Sequence, residues 1–245
     1  MVVDTLTITE SFCGPSKTGN GGYVAGLLAR HLQGAVTVRL VKGVPLEVEM
    51  RVESEGEALR LMDGNTLVAQ AHRSELELEP PAPPSFQEAE AATQSFVAYE
   101  RHPFPRCIVC GTQRESGDGL RIFPGVVPGR SLFAAPWVPH PAVADESGSV
   151  RLEFLWASLE CPAGFAWYPN LVVMGELTGR VQGSLRVGEK CVVTGWPIER
   201  DGRKYYAGTA IHGEDGRAVA VGHSTWIEIG RDAFITLSRT GKSDP

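Results

Sequence analysis

The sequence predicts an α+β protein built from two similar units, each with one helix packed against an antiparallel sheet. Most of the chain alternates apolar and polar residues, which is the pattern of half-buried strands. Apolar residues recur at helical spacing within residues 16–34 and again within residues 149–168. The strands follow these helices in a similar order in both halves, which indicates an internal duplication.

The first unit covers residues 1–79 and is predicted as a strand, a helix and four further strands. Asn20 can cap the start of the helix, and Gly34 lies where a glycine commonly ends one. The Asp-Gly-Asn sequence at residues 63–65 suits the turn between the last two strands.

A linker over residues 80–103 follows, and its composition interrupts the strand pattern. Four prolines within residues 80–84 stop any strand. Ser85 and Glu88 then form the sequence pattern of a capping box, which predicts a short helix. We expect this linker to cross a surface and to be partly helical.

The second unit covers residues 104–230 and repeats the order of the first. Residues 117–127 and 131–138 are strand-like, and a helix and four more strands follow them. The last strand of the second unit, within residues 218–229, aligns with the corresponding strand of the first. Residues 231–245 are assigned to a C-terminal tail.

Composition excludes several classes of partner. The net charge of -6, without any basic run, argues against a nucleic-acid or membrane-surface binder. The first residues lack the features of a secretory signal, and no apolar run is long enough to span a bilayer. Five cysteines in 245 residues do not form a disulfide framework. We therefore expect a cytoplasmic protein.

Three motifs carry a resemblance to a known family. "GNGGYVAGLLARHL" is similar to a His-Gly-Gly helix start, with Asn20 where histidine is common. "CIVCGTQRESGDGLRIFPG" resembles a C-x-x-C-G opening, and "LWASLECPAGFAWY" resembles a W-a-a-L-D-C-P-x-G-f-A helix. In this order they resemble the double hotdog proteins of the acyl-CoA thioesterase superfamily, over nearly the whole chain.

The resemblance implies two tandem hotdog repeats that form a pseudo-dimer within one chain, with the two helices side by side. It also implies that a small acyl thioester binds at the interface of the repeats. Coenzyme A would then be part of the substrate, and no separate cofactor is expected. A homodimer of the pseudo-dimer is a further expectation.

The same resemblance implies two catalytic residues, Gly22 and Glu160. The N–H groups of Gly21 and Gly22 would hold the thioester oxygen, although glycines are also common at a crowded helix start. Glu160 occupies the place of an acid that is usually aspartate, and it would attack the thioester or activate water. Because Pro162 strains the preceding turn, we expect the helix to kink or end near Glu160. The alternative for Glu160 is an exposed position on a polar helix face. The residues expected to bind substrate are Asn20, Gly21, Tyr23, Trp156 and Thr225.

Cys107 and Cys110 form a C-x-x-C pair, with His102 upstream. Zinc sites usually have four ligands, and no second cysteine pair occurs at suitable spacing. A redox pair is possible, but the pair is not placed at a strand-to-helix turn. We expect a tight turn with buried side chains and no metal site.

Three classes of function remain open. The first is an acyl-CoA thioesterase, and the second is a protein that binds an acyl ligand without catalysis. A hotdog hydratase or dehydratase ranks below both, because the sequence shows no neighbouring Asp and His on the loop and helix. Thioester hydrolysis over a series of chain lengths distinguishes the first two.

Overall fold

The computed structural model describes residues 1–238, and the last seven residues of the predicted tail lie outside the described part. The strands are β1 (Val2–Thr7), β2 (Ala35–Leu40), β3 (Glu49–Glu55), β4 (Ala58–Asp63), β5 (Thr66–Ser74), β6 (Gly125–Val126), β7 (Phe133–Trp137), β8 (Val172–Val181), β9 (Cys191–Asp201), β10 (Lys204–His212) and β11 (Ala218–Glu228). The α-helices are α1 (Gly21–Ala29), α2 (Phe86–Thr93), α3 (Leu152–Ser158), α4 (Glu160–Phe165) and α5 (Arg231–Ser238).

The strands form one sheet in the order β1-β3-β4-β5-β2-β8-β11-β10-β9-β7-β6, with antiparallel neighbours throughout. The order on one side of the β2–β8 junction mirrors the order on the other, and β6 is an addition at the far edge. This confirms the prediction of two tandem hotdog repeats that form a pseudo-dimer within one chain.

The two halves meet where β2 pairs with β8. Thr37 lies opposite Thr178, and their hydroxyl oxygens are 2.8 Å apart. The Thr37 hydroxyl also donates to the Ser74 hydroxyl over 2.9 Å. Polar side chains at the junction therefore satisfy one another across the two repeats.

Helices α1 and α3 lie side by side beneath the sheet, as predicted, and glycines allow their close approach. A Cβ atom at Gly26 would lie 2.5 Å from the Glu153 Cα, and one at Gly22 would lie 2.7 Å from the Trp156 carbonyl oxygen. Both neighbours are backbone atoms, which cannot rotate away. The backbones of the two helices therefore touch at these positions.

The second helix is broken, as the proline predicts. Helix α3 ends at Ser158 and α4 begins at Glu160, with Leu159 between them. Pro162 lies in the first turn of α4, where a missing N–H is tolerated. The break brings the Glu160 side chain to the start of a new helix.

The linker contains the predicted helix. The Ser85 hydroxyl accepts a bond from the Glu88 amide, and the Glu88 carboxylate accepts one from the Ser85 amide. Helix α2 packs against β7 and lies so close to Gly125 that a Cβ there would meet the Ala92 carbonyl.

The predicted strand over residues 117–127 is reduced to the two residues of β6. Arg121 has a φ of +56°, which strands do not use, and the amides of Leu120 and Ile122 bond to the Ile108 and Val109 carbonyls instead. Within residues 1–238, no helix has the length and apolar character needed to cross a membrane.

Candidate functional site

A cavity of about 1260 Å³ lies between the start of α1, the linker, α4, the start of β8 and α5. One wall carries a buried carboxylate, a buried side-chain amide and three thiols. The residues that form this wall are Asn20, Gly21, Cys107, Cys110, Glu160 and Cys161. They come from the first repeat and from two separate segments of the second, so the fold assembles this wall from distant parts of the chain.

Glu160 is buried, with 9% of its surface exposed. Its Oε2 accepts a hydrogen bond of 2.9 Å from the Gly22 amide in the first turn of α1. Unpaired amides at a helix start carry partial positive charge, so α1 stabilises the ionised carboxylate. The structure thus places Glu160 inside the cavity wall rather than on an exposed helix face.

The surroundings of Glu160 raise the pKa of its carboxyl to about 8, and burial is the largest cause. The nearby Cys107 raises the pKa further, whereas hydrogen bonding from Gly22, Asn20 and Gly21 lowers it. A carboxyl in this state can take up and release a proton near neutral pH.

Asn20 is fully buried and is the cap of α1, as predicted. Its Oδ1 accepts a bond of 2.8 Å from the Tyr23 amide, so its Nδ2 is directed elsewhere. The Nδ2 lies 3.9 Å from the Cys107 sulfur, which is a long and weak contact. The same side chain also hydrogen-bonds to the Glu160 carboxyl, so an amide donor is held at the cavity wall next to that group.

The two glycines at the start of α1 lie in crowded surroundings. A Cβ at Gly21 would lie 2.6 Å from the Met174 Cε and 2.7 Å from the Leu40 Cδ1. The Gly22 amide is already bonded to Glu160, and Gly22 does not line the cavity. The structure therefore corrects the expectation that the Gly22 N–H is free for a substrate oxygen, because the carboxylate occupies it.

Three of the residues expected to bind substrate lie outside the cavity. Tyr23 stacks on Phe12, with ring centroids 4.3 Å apart. Trp156 is buried against the sheet, where a Cβ at Gly179 would lie 2.7 Å from its ring. Thr225 lies on β11 next to Trp226, and only Trp226 lines the cavity, because successive strand residues face opposite sides of a sheet.

A third thiol joins the C-x-x-C pair at the cavity wall. The Cys161 sulfur is 3.2 Å from the Cys110 sulfur and 3.7 Å from the Cys107 sulfur. The pKa of the Cys107 thiol is well below its usual range, because the Cys110 and Cys161 thiols stabilise its thiolate. Sequence spacing missed Cys161 because it lies 51 residues beyond Cys110.

Comparison with solved structures identifies the class of fold. The chain superposes on a protein of Novosphingobium aromaticivorans that is provisionally assigned as a thioesterase, with a TM-score of 0.60 and 13% identity over 92% of this chain and 95% of that one. It is similar to the tesB protein of Mycobacterium avium subspecies paratuberculosis, with a TM-score of 0.59 and 11% identity over 92% of each chain. A provisionally assigned thioesterase II of Thermobifida fusca gives a TM-score of 0.58 and 13% identity over 93% of each chain.

The chain thus has the double hotdog fold that its sequence predicts, and it shares this fold with these structures. At this level of identity the likeness describes the fold. No family profile and no curated protein matches the sequence.

Proposed function

We propose that the chain hydrolyses an acyl-CoA thioester in the cavity and that Glu160 is its catalytic base. The observation that carries this proposal is the hydrogen bond of 2.9 Å between the Gly22 amide and the buried Glu160 carboxylate, at the wall of a cavity large enough for an acyl chain. The likeness in fold to proteins described as thioesterases supports the same class of reaction.

In this reaction the Gly22 amide holds the Glu160 Oε2, and a water molecule approaches the carboxylate from the cavity. Glu160 takes a proton from that water as the water oxygen attacks the thioester carbonyl carbon. The tetrahedral intermediate then expels the coenzyme A thiolate. Attack by the Glu160 carboxylate itself, through an anhydride, uses the same geometry.

The developing oxyanion needs donors other than Gly22. The Asn20 Nδ2 and the Gly21 amide lie at the same wall, and their hydrogen bonding to Glu160 weakens once that carboxylate takes up the proton of the water. The Asn20 side chain is fixed by its bond to the Tyr23 amide. Donors that are fixed before the reaction stabilise the charge that develops in the transition state. Asn20 and Gly21 therefore serve as substrate-binding residues in the proposal.

The test is turnover of a medium-chain acyl-CoA, followed by release of free thiol. We expect Glu160→Gln to lower kcat by about a hundredfold or more, while a non-hydrolysable thioether analogue still binds. Glu160→Asp keeps the charge and should retain part of the activity. Glu153→Gln is a matched control, because Glu153 lies on the adjacent helix α3 and outside the cavity lining.

Equal turnover by wild type and Glu160→Gln would show that Glu160 is not the base. A wild type that binds the thioether but releases no thiol at any chain length would establish the second candidate, an acyl-ligand binder. The observation that favours this second candidate is the bond from the Gly22 amide to the Glu160 carboxylate, because that amide is then not free to hold a substrate oxygen. A cytoplasmic location and a dimer of the pseudo-dimer remain predictions, and size-exclusion chromatography with light scattering tests the dimer.

A further inference from the structure

We propose that Cys107, Cys110 and Cys161 bind a zinc ion at the wall of the cavity, with its fourth coordination position facing the cavity. This departs from the expectation of no metal site. It does not rest on the proposed function, because metal content is measured without any turnover.

The three sulfur atoms already have the separations that a zinc ion requires. Zinc–sulfur bonds of about 2.3 Å in a tetrahedral arrangement place pairs of sulfurs about 3.8 Å apart. Two of the observed separations are 3.2 and 3.7 Å, and all three sulfurs lie within 4.8 Å of one another. Small side-chain rotations would therefore bring the three thiolates around one ion.

The loop that carries the pair is a tight turn. The turn is closed by a bond of 2.9 Å from the Gly111 amide to the Cys107 carbonyl, and a Cβ at Gly111 would lie 2.5 Å from that carbonyl oxygen. The turn therefore holds Cys107 and Cys110 close together on a backbone that has little room to move.

The third sulfur comes from a separate element, which distinguishes this cluster from an ordinary turn. Cys161 is the second residue of α4, immediately after the break that ends α3. A zinc ion would tie the loop that follows the linker to this helix. Soft thiolate ligands select zinc over magnesium or calcium, which prefer oxygen.

The fourth coordination position of the zinc ion would face the cavity. All three cysteines line it, and no fourth cysteine or histidine joins the cluster within the described part of the chain. Three protein ligands with one open position are typical of zinc sites that hold water or substrate, whereas structural sites have four. Zinc bound here would present a Lewis-acidic position to an oxygen that enters the cavity.

Metal analysis of the full-length protein, purified from zinc-supplemented cells under reducing conditions and then dialysed, tests the proposal. We expect about one zinc ion per chain in the wild type. Cys107→Ser, Cys110→Ser and Cys161→Ser should each retain about a tenth of that content or less. Cys191→Ser is the matched control, because Cys191 is also buried but lies in β9, where its thiol donates to the Trp137 carbonyl.

Cobalt titration of the metal-free wild type tests for the metal site even if the variants do not fold. Thiolate-to-cobalt charge-transfer absorption at one equivalent, and X-ray absorption with zinc–sulfur distances of about 2.3 Å, would support it. A wild type that binds neither metal would overturn the proposal. Bound zinc with only nitrogen and oxygen ligands would overturn it as well. Equal zinc loss from Cys191→Ser, or a Cys110–Cys161 disulfide in freshly purified zinc-free protein, would also overturn it.

Discussion

Gly22 and Glu160 are 138 residues apart in the chain, yet the amide of one donates a 2.9 Å hydrogen bond to the carboxylate of the other. This bond joins the first turn of the first repeat's helix to the start of α4 in the second repeat. A buried carboxylate without such donors would be strongly destabilising, so the bond lets an acid occupy the helix interface.

Substitution of Gly26 by alanine tests the close packing of helices α1 and α3. Alanine normally stabilises a helix interior by about 0.5–1 kcal/mol relative to glycine. We expect Gly26→Ala to do the opposite and to lower the free energy of unfolding by about 1–3 kcal/mol, because the new Cβ would lie 2.5 Å from the Glu153 Cα. Urea denaturation measures the change.

Gly230→Ala is the control for that measurement, since no atom of residues 1–238 lies within 4 Å of the Cβ it would add. The control should leave the urea midpoint nearly unchanged. A Gly26→Ala protein more stable than wild type would refute backbone contact between α1 and α3.

Asn20 caps α1 through its Oδ1 and, in the proposed reaction, donates from its Nδ2 to the substrate. Substitution can separate these two roles. Asn20→Ser keeps an oxygen that can cap the Tyr23 amide but removes the Nδ2 donor. We expect near-native stability together with a loss of about a hundredfold in kcat, as for other oxyanion donors. Thermal melting and thiol release on the same preparation measure both.

Asn20→Ala provides the comparison, because it removes both the cap and the donor. It should lose a similar factor in kcat and also about 1 kcal/mol of stability. Full turnover by Asn20→Ser would show that the amide does not contact the reacting carbonyl.

His212 makes stability depend on pH. It is buried at the end of β10, neither ring nitrogen has a hydrogen-bond partner among residues 1–238, and burial lowers its pKa from the usual value. Below a pH of about 6.5 the unfolded chain takes up a proton that the folded chain resists. The contribution of His212 to stability is therefore present above that pH and is lost as the pH falls, by at most about 1.4 kcal/mol per pH unit.

We expect His212→Leu to remove this dependence, so that its melting temperature exceeds that of the wild type by more at pH 5 than at pH 8. His72→Gln, at an exposed site on β5, should follow the wild type at both values. A constant difference between His212→Leu and wild type across this range would exclude the assigned role of His212.

Local sequence signals predicted the order of the elements and several of their ends. The Ser85–Glu88 capping box, the cap at Asn20 and the break near Glu160 each depend on neighbouring residues, and each is present. The paired helices followed from the resemblance and the repeated strand order.

Contacts between distant segments could not be predicted in the same way. Nothing near Gly22 in the sequence indicates that its amide bonds to Glu160, and Cys161 shows no spacing that ties it to Cys107. The loop over residues 117–124 alternates like a strand, but its amides bond to the Ile108 and Val109 carbonyls of another irregular segment. All three outcomes depend on tertiary packing, which a periodic pattern does not encode.

The mirrored strand order has a consequence for stoichiometry. An assembly of two identical subunits would carry two equivalent sites, but here the two halves differ in sequence. Helix α1 of the first repeat contains no acidic residue, whereas α4 of the second repeat begins with Glu160. Within residues 1–238, the fusion of two halves into one chain thus places this buried carboxylate in one half only, and one ligand molecule should saturate each polypeptide.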